Sequence, residues 1–345
     1  MTDFDLPTLF DRFRTLRAAV IGDFAVDCYY TLQTETGENS LETGLPVHWG
    51  GRMQTSPGGA GNVVQNLAAL GVGAIRAFGA VGPDAFGREL RHLLQRVNVD
   101  TSGLLTVETG WDTCVYTKPM REGREGNRLD FGTQNALSEA VFGQLLAELE
   151  RALPTLDVLI LNQQFPAPLL DAARTVRLNE LLLNHPNCQY VADMRHVGQH
   201  LRQIPLKVNT AELARMLNVP EASEEDEDWC RQHSRQLAGR LSAPVILTRG
   251  AAGILYVDTA ESASVAGLPL AGPLDTVGAG DTVVAAYAAC RGAGARPPEA
   301  IALANLAAAV TVQKLGQTGT ANREEISELA NGELANSFAR LPRNS

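Results

Sequence analysis

Short apolar runs recur along the chain at 18–21, 75–81, 158–161, 190–192 and 245–248, each bounded by polar or glycine-containing segments. Unbroken runs of this length are the pattern of strands buried on both faces. Between them lie stretches with helical spacing, among them one from near Gly59 to Gly71, a small-residue stretch from Val283 to Cys290 and a long one starting near Pro297. Strands alternating with helices predict an α/β fold whose central, mainly parallel sheet is flanked by helices.

Two stretches, 27–53 and 111–131, break the alternation. In the second, Thr113-Cys114-Val115-Tyr116-Thr117 and Asn127-Arg128-Leu129-Asp130-Phe131 alternate like strands with an open face and are expected to pair as a small accessory sheet. The acidic run 221–228 reads as the solvated start of a helix, where acidic side chains are favoured. With no internal repeat and no long linker, the expectation is a single domain, 1–345, with the two irregular stretches forming a lid.

Composition narrows the function classes. The 345 residues carry 29 Lys and Arg against 39 Asp and Glu, a net charge of −10. Such a surface repels phosphate backbones and anionic membranes, so neither nucleic acid nor membrane is an expected partner. Cys28, Cys114, Cys188, Cys230 and Cys290 are scattered without C-x-x-C spacing, which predicts free thiols in a reducing compartment. The N-terminus is acidic where a secretory leader would be basic, and no apolar stretch approaches the ~18 residues of a membrane span. A cytoplasmic protein is expected.

The strongest chemical signal is Asp275-Thr276-Val277-Gly278-Ala279-Gly280-Asp281-Thr282 at the head of the small-residue helix. Small residues let a backbone approach a ligand closely, and N–H groups converging at a helix start suit an anion. A carboxylate beside that anion, Asp281, can take the proton of a hydroxyl attacking phosphorus. The same segment read without its companions is a tightly packed helix start capped by Asp281.

This octapeptide resembles the C-terminal signature of the PfkB carbohydrate kinases, which have the ribokinase-like fold. Its companions stand in the family's order: Gly22-Asp23-Phe24-Ala25-Val26-Asp27, then Pro57-Gly58-Gly59-Ala60-Gly61-Asn62, then Asn209-Thr210-Ala211-Glu212, then Thr248-Arg249-Gly250-Ala251-Ala252-Gly253. The resemblance covers about residues 18 to 320 and implies a β-lid over the sugar, ATP as phosphoryl donor and Mg²⁺ as cofactor. It implies Asp281 as base and Gly278, Ala279 and Gly280 as anion hole. Asp27, Gly58, Gly59 and Asn62 are implied on the acceptor, and Asn209, Glu212, Thr248, Gly250 and Gly253 on the nucleotide, with Glu212 reaching Mg²⁺ through water. The loop 314–320, with backbone near Asp275, is implied as a K⁺ site. Taken singly, Asp27 reads as a strand-end turn residue, Asn62 as a helix cap, and Asn209 with Glu212 as a capping pair opening helix 211–216.

Within the family, residues 57–71, Arg128-Leu129-Asp130-Phe131 and the segment from Ala304 through Gly316 are similar to the kinase domain of heptose-phosphate kinases. An acceptor that already carries phosphate needs cations at the lid, and Lys118, Arg121, Arg124 and Arg128 cluster there, Lys118 and Arg128 foremost. The other reading of that cluster is a solvated strand face. Two departures stand out: no appended nucleotidyltransferase domain is expected, and Asp193-Met194-Arg195-His196 stands where those kinases show an Asp-Pro-Lys type sequence. An unphosphorylated sugar or a nucleoside is the alternative acceptor, the latter stacking on Tyr29, Tyr30, Trp49 or Trp111. A catalytically weak sugar or nucleotide sensor remains open. A dinucleotide oxidoreductase is disfavoured because 57–61 lacks G-x-G-x-x-G directly after a strand. By analogy with the family, the lid is a candidate homodimer surface.

Overall fold

The computed structural model describes residues 5–334 except 123, 166, 167, 222 and 317. The strand Arg17–Gly22 is buried at five of its six positions and lies inside a nine-stranded sheet. It pairs in parallel with Ala74–Val81 on one side and Val158–Gln163 on the other. Outside Ala74–Val81 lies Val99–Thr106, also parallel. On the other flank follow Gln189–Met194, Leu206–Asn209 and Val245–Thr248, all parallel. The antiparallel strands Ile254–Val257 and Ser262–Val265 finish that edge. The α/β architecture with a mainly parallel sheet is therefore as the sequence pattern requires.

Helices cover both faces. One core packs Leu6–Phe13, Ala60–Ala69, Ala279–Gly292 and Pro297–Thr311 against the sheet, and the other packs Glu139–Ala152, Ala172–Leu183, Thr210–Leu217 and Glu227–Leu241. The helix Ala279–Gly292 is buried at every position from Thr282 to Cys290. Its alanines and valines allow close approach of neighbouring helices and fix its first turn deep in the molecule. All five cysteines are buried and free.

The chain leaves Arg17–Gly22 toward one edge of the sheet and later returns on the opposite side, at Val158–Gln163. A crevice at the carboxyl ends of such a strand pair is where sheets of this class bind ligands. A Cβ on Gly22 would lie 1.9 Å from the Asn162 carbonyl oxygen, so only glycine lets these two strand ends meet.

Directly after Gly22 the chain enters a second, six-stranded sheet. Phe24–Gln33 pairs antiparallel with Trp49–Gly50 and Gln54–Gly59 and parallel with Cys114–Arg121. Arg124–Glu125 and Leu129–Phe131 complete it. The expected pairing of the 113–117 and 127–131 segments is present, but the first is not open on one face. Cys114, Val115, Thr117, Lys118 and Pro119 are all buried, because one face of the strand packs on the main body and the other lines an internal polar cluster. The acidic run also differs from expectation: the helix starts only at Glu227, capped by the Asp226 carboxylate on Trp229 N–H, and Glu224 instead lies against the Gly250 turn.

Gly59 turns the corner between the second sheet and the helix Ala60–Ala69. Its φ is +57°, and a Cβ there would lie 2.3 Å from the Asp23 carbonyl oxygen, which accepts the Ala60 N–H. Gly59→Ala combines backbone strain with a backbone clash and is expected to cost about 2–4 kcal/mol. Denaturant titration reads this directly; a loss below about 0.5 kcal/mol would mean the corner relaxes freely.

Candidate active site

Asp23 lies between the strands Arg17–Gly22 and Phe24–Gln33. It is buried, and its carboxylate accepts N–H bonds from Gln164 at 2.8 Å, Phe165 at 3.0 Å and Leu169 at 2.7 Å. Burial pushes its pKa up to about 6 against those three donors. The connection after Val158–Gln163 is thereby anchored, and Gln164 Nε2 donates to Asp281 Oδ1 at 2.8 Å.

Asp281 stands in the first turn of Ala279–Gly292, whose N-cap, Gly278, has φ +82°. Its other oxygen, Oδ2, accepts from Asn62 Nδ2 at 2.6 Å. Burial raises the Asp281 pKa, opposed by the Asn62 amide, the Lys207 ammonium, the Gln164 amide and Arg195. Asn62 does not cap its helix, as the single-residue reading would have it. The N-cap is Gly59, and Asn62 lies inside the first turn, buried, with its carbonyl oxygen accepting from Asn66 Nδ2. Asn66 in turn accepts from Thr282 Oγ1, so the two helix starts are hydrogen-bonded together.

Gly278, Ala279 and Gly280 form the turn that leads into Asp281. The Ala279 N–H already donates to the Thr276 carbonyl at 3.2 Å within the turn. A Cβ on Gly280 would lie 2.8 Å from Lys207 Nζ, and one on Gly278 would lie 2.7 Å from the Thr318 methyl. Lys207 is a buried ammonium at this spot, paired with buried Asp193 at 3.1 Å. Burial works to lower its pKa, but Asp193, Glu212 and Asp281 together raise it, so it stays charged. Burial raises Asp193 in the opposite sense, to about 6, with Lys207 holding it down.

The second sheet faces this cluster with another buried pair. In register, Asp27 lies opposite Ser56 and Tyr116, and Tyr29 opposite Gln54 and Lys118, which puts these side chains on one face. Lys118 Nζ is 3.3 Å from Asp27 Oδ1, 2.8 Å from the Tyr29 hydroxyl and above the Tyr29 ring. Burial raises the Asp27 pKa, and Lys118 and Arg128 oppose it. The turn reading of Asp27 gives way: it is a strand residue, and a Cβ on Gly58 would lie 3.2 Å from its carboxyl. Arg128 forms a two-pronged pair with Asp130 and stacks over Tyr116, whereas Arg121 and Arg124 lie exposed at a hairpin. A cleft of about 810 Å³ continues from this face between Tyr29, Gln54, Ser56, Gln65, Lys314 and Thr318. Of the aromatic side chains read as a stacking surface, Trp111 is buried in the main core and cannot stack on a ligand.

Asn209 and Glu212 form the capping pair that the sequence also allowed. Glu212 N–H donates to Asn209 Oδ1 at 2.8 Å, and Asn209 N–H to Glu212 Oε2 at 3.0 Å, opening the helix Thr210–Leu217. Glu212 is buried and adjoins Lys207 and Asp193. Thr248 ends its strand with its hydroxyl on the Val208 carbonyl. Gly250 and Gly253 both have positive φ in the following turn, where a Cβ on Gly253 would lie 2.1 Å from Val265 O. Asp275 accepts from Val277 N–H and Gly316 N–H, each at 3.0 Å, tying Gly316 to the start of the signature segment.

Sequence reasoning did not bring Gln164, Lys207 and Asp193 together beside Asp281. Gln164 follows the strand Val158–Gln163, Asp193 lies near the end of Gln189–Met194 and Lys207 lies within Leu206–Asn209, so no local spacing links them. For Lys207 a signal existed: a lysine inside a short apolar run directly ahead of N-x-x-E has no structural reason to be cationic unless it meets an anion.

A carboxylate, a buried ammonium and a helix start converging at the switch point of a parallel sheet fit transfer of an anionic group. The model of the pfkB family carbohydrate kinases matches residues 17–324. The chain belongs to the pfkB family of carbohydrate kinases. A bifunctional protein HldE from Halorhodospira halophila is 33% identical over 327 residues, covering 93% of this chain and 64% of that protein. One from Hydrogenovibrio crunogenus is 27% identical over 329 residues, again covering 93% and 64%. This pfkB-family chain thus spans about 64% of the length of these curated relatives. Among solved structures, Escherichia coli phosphofructokinase-2 in complex with potassium superposes with a TM-score of 0.72 at 20% identity, covering 92% of this chain and 99% of that one. Arabidopsis thaliana ribokinase complexed with ribose and ATP gives 0.70 at 20% identity, covering 91% and 98%. These likenesses establish the ribokinase-like fold. Among the described residues no helix is long and apolar enough to cross a membrane.

Proposed function

We propose that this pfkB-family protein transfers the terminal phosphoryl group of ATP to a hydroxyl of a sugar, with Asp281 as general base. The observation that carries the reading is the convergence of Asp281, Lys207 and the Gly278–Gly280 turn, with Thr318 next to Gly278 and reaching Asp27. The acceptor hydroxyl gives its proton to Asp281 while its oxygen attacks the phosphorus in line with the departing ADP. The Gly280 amide and Lys207 face the oxygens on which charge accumulates, so catalysis is positioning and electrostatics. Asp27 and Asn62, with the close-lying Gly58 and Gly59 backbone, hold the other sugar hydroxyls. Asn209, Glu212, Thr248, Gly250 and Gly253 form the nucleotide side.

Mg²⁺ fits the donor set. The carboxylates of Glu212 and Asp193 adjoin at the proposed nucleotide side. Few carboxylates, with phosphate and water completing the shell, is what Mg²⁺ requires. Bound with ATP, it would neutralise phosphate charge, Glu212 acting through water. For K⁺, the Asp275 carboxylate is engaged by two backbone N–H groups. Asp275 would therefore shape the site, with carbonyls of the loop 314–320 as ligands.

The acceptor is a sugar or sugar phosphate, as in a heptose-phosphate-like kinase, with Lys118 and Arg128 at its phosphate. A specific observation favours an uncharged sugar as second reading: both cations already have carboxylate partners, and the adjoining cleft is lined mainly by amides and hydroxyls. A coupled ADP-release screen with Mg-ATP and K⁺, across sugars, sugar phosphates and nucleosides, tests the proposal. Turnover on a sugar or sugar phosphate that is lost in Asp281→Asn is expected. If no acceptor releases ADP above the Asp281→Asn background while a sugar raises the melting temperature, the protein is a sensor.

The half-exposed apolar side chains of Trp49, Leu129 and Phe131 on the second sheet support a homodimer through that sheet. Sedimentation is expected to give twice the chain mass, reduced to one by Phe131→Arg; a monomeric parent protein removes the reading.

A further inference from the structure

Both oxygens of Asp281 carry an amide donor, and the two donors are anchored differently. Asn62 is buried on a helix, and its side-chain oxygen as well as its backbone oxygen faces Asn66 Nδ2. Gln164 is half-buried, its backbone N–H is held by Asp23 and its side-chain amide lies on Asp281, so rotation about its side-chain torsions frees the amide without moving Cα. A carboxylate offers about four acceptor positions, so two bonds do not saturate it. They do favour the ionised form and so weaken Asp281 as a proton acceptor.

We propose that Gln164 is a specificity device against water: its amide restrains Asp281 until a sugar hydroxyl displaces it. This rests on the assignment of Asp281 as base. Every kinase has to avoid handing its phosphoryl group to solvent. In that side reaction a water oxygen bonds to the γ-phosphorus, the bond to the bridging oxygen breaks with its electron pair leaving on ADP, and a water proton passes to Asp281. A base whose proton affinity rises only when Gln164 turns away favours the sugar over water. A displaced glutamine amide, both donor and acceptor, pairs with a sugar hydroxyl, which a single water does not hold in place.

The experiment compares ATP hydrolysis without acceptor in the parent protein and in Gln164→Leu, with Mg-ATP. An increase of about tenfold or more is expected, because the restraint is gone while the base remains. The acid limb of the pH profile for sugar phosphorylation is expected to move to higher pH in Gln164→Leu, and further in Gln164→Glu, where a second carboxylate repels the charge on Asp281. A merely structural glutamine would move neither. If Gln164→Leu lowers the melting temperature, Gln164→Asn withdraws the amide by one methylene without adding an apolar group and gives the same readouts. Hydrolysis within about twofold of the parent, with an unmoved acid limb, overturns the proposal. Failure of the base assignment is separately visible, since Asp281→Asn would then keep its turnover.

Discussion

Asp281→Asn is expected to lower turnover by about 10²–10⁴-fold, the range that a positioned general base contributes. The substitution keeps the shape, and Gln164 can present its carbonyl to the new amide, so the local hydrogen bonds survive. ATP affinity should hold or tighten, because a negative charge next to the phosphates has been removed. Calorimetric titration of the variant with nucleotide separates this from loss of folding. The pH dependence follows from the same group. In the proposed role Asp281 accepts a proton only when ionised, and burial raises its pKa. Activity is therefore full above the raised pKa and falls as pH drops through it, placing the acid limb above the ~3.9 of an ordinary aspartate. Turnover within about tenfold of the parent, or an acid limb at the ordinary value, would remove Asp281 from the role.

The parts of the molecule that could be read from the chain are those written locally. Strands such as 18–21, 75–81 and 158–161 are unbroken apolar runs because helices cover both of their faces. Asp281 was legible because its neighbours Gly278 and Gly280 carry the backbone requirement in the same octapeptide. Val99–Thr106 escaped because Asp100 and Ser102 at its solvent side interrupt the apolar run. Leu206–Asn209 escaped because four residues with a lysine inside look like a loop until the strands on either side are known. The same strand delivers Lys207, so the missed element and the missed site residue are one omission. Gln164 and Asp193 sit at strand ends 29 positions apart in sequence (193 − 164 = 29) and become neighbours of Asp281 only through the parallel register of the sheet. The pairing of Lys118 with Asp27 and of Arg128 with Asp130 is a tertiary fact that no spacing rule contains.

Lys207→Met carries the second large effect, and its difficulty is that two consequences coincide. Removal of the ammonium leaves Asp193 buried without a cation, and breaking one half of such a pair costs about 3–5 kcal/mol of stability. Removal of a preorganised donor beside the transferring group costs about 10²–10³-fold in turnover. A second substitution separates them. In Lys207→Met with Asp193→Asn the buried charge is gone from both sides, so most of the stability should return. Turnover should stay low, because the ammonium that faces Gly280 is still missing. Lys207→Arg tests the geometry: the guanidinium keeps the charge but is too bulky for a place already 2.8 Å from the Gly280 Cβ position, so it should restore little activity. If the double variant recovers turnover along with stability, Lys207 and Asp193 serve only to hold the strands together, and the proposed role of Lys207 beside the transferring group falls.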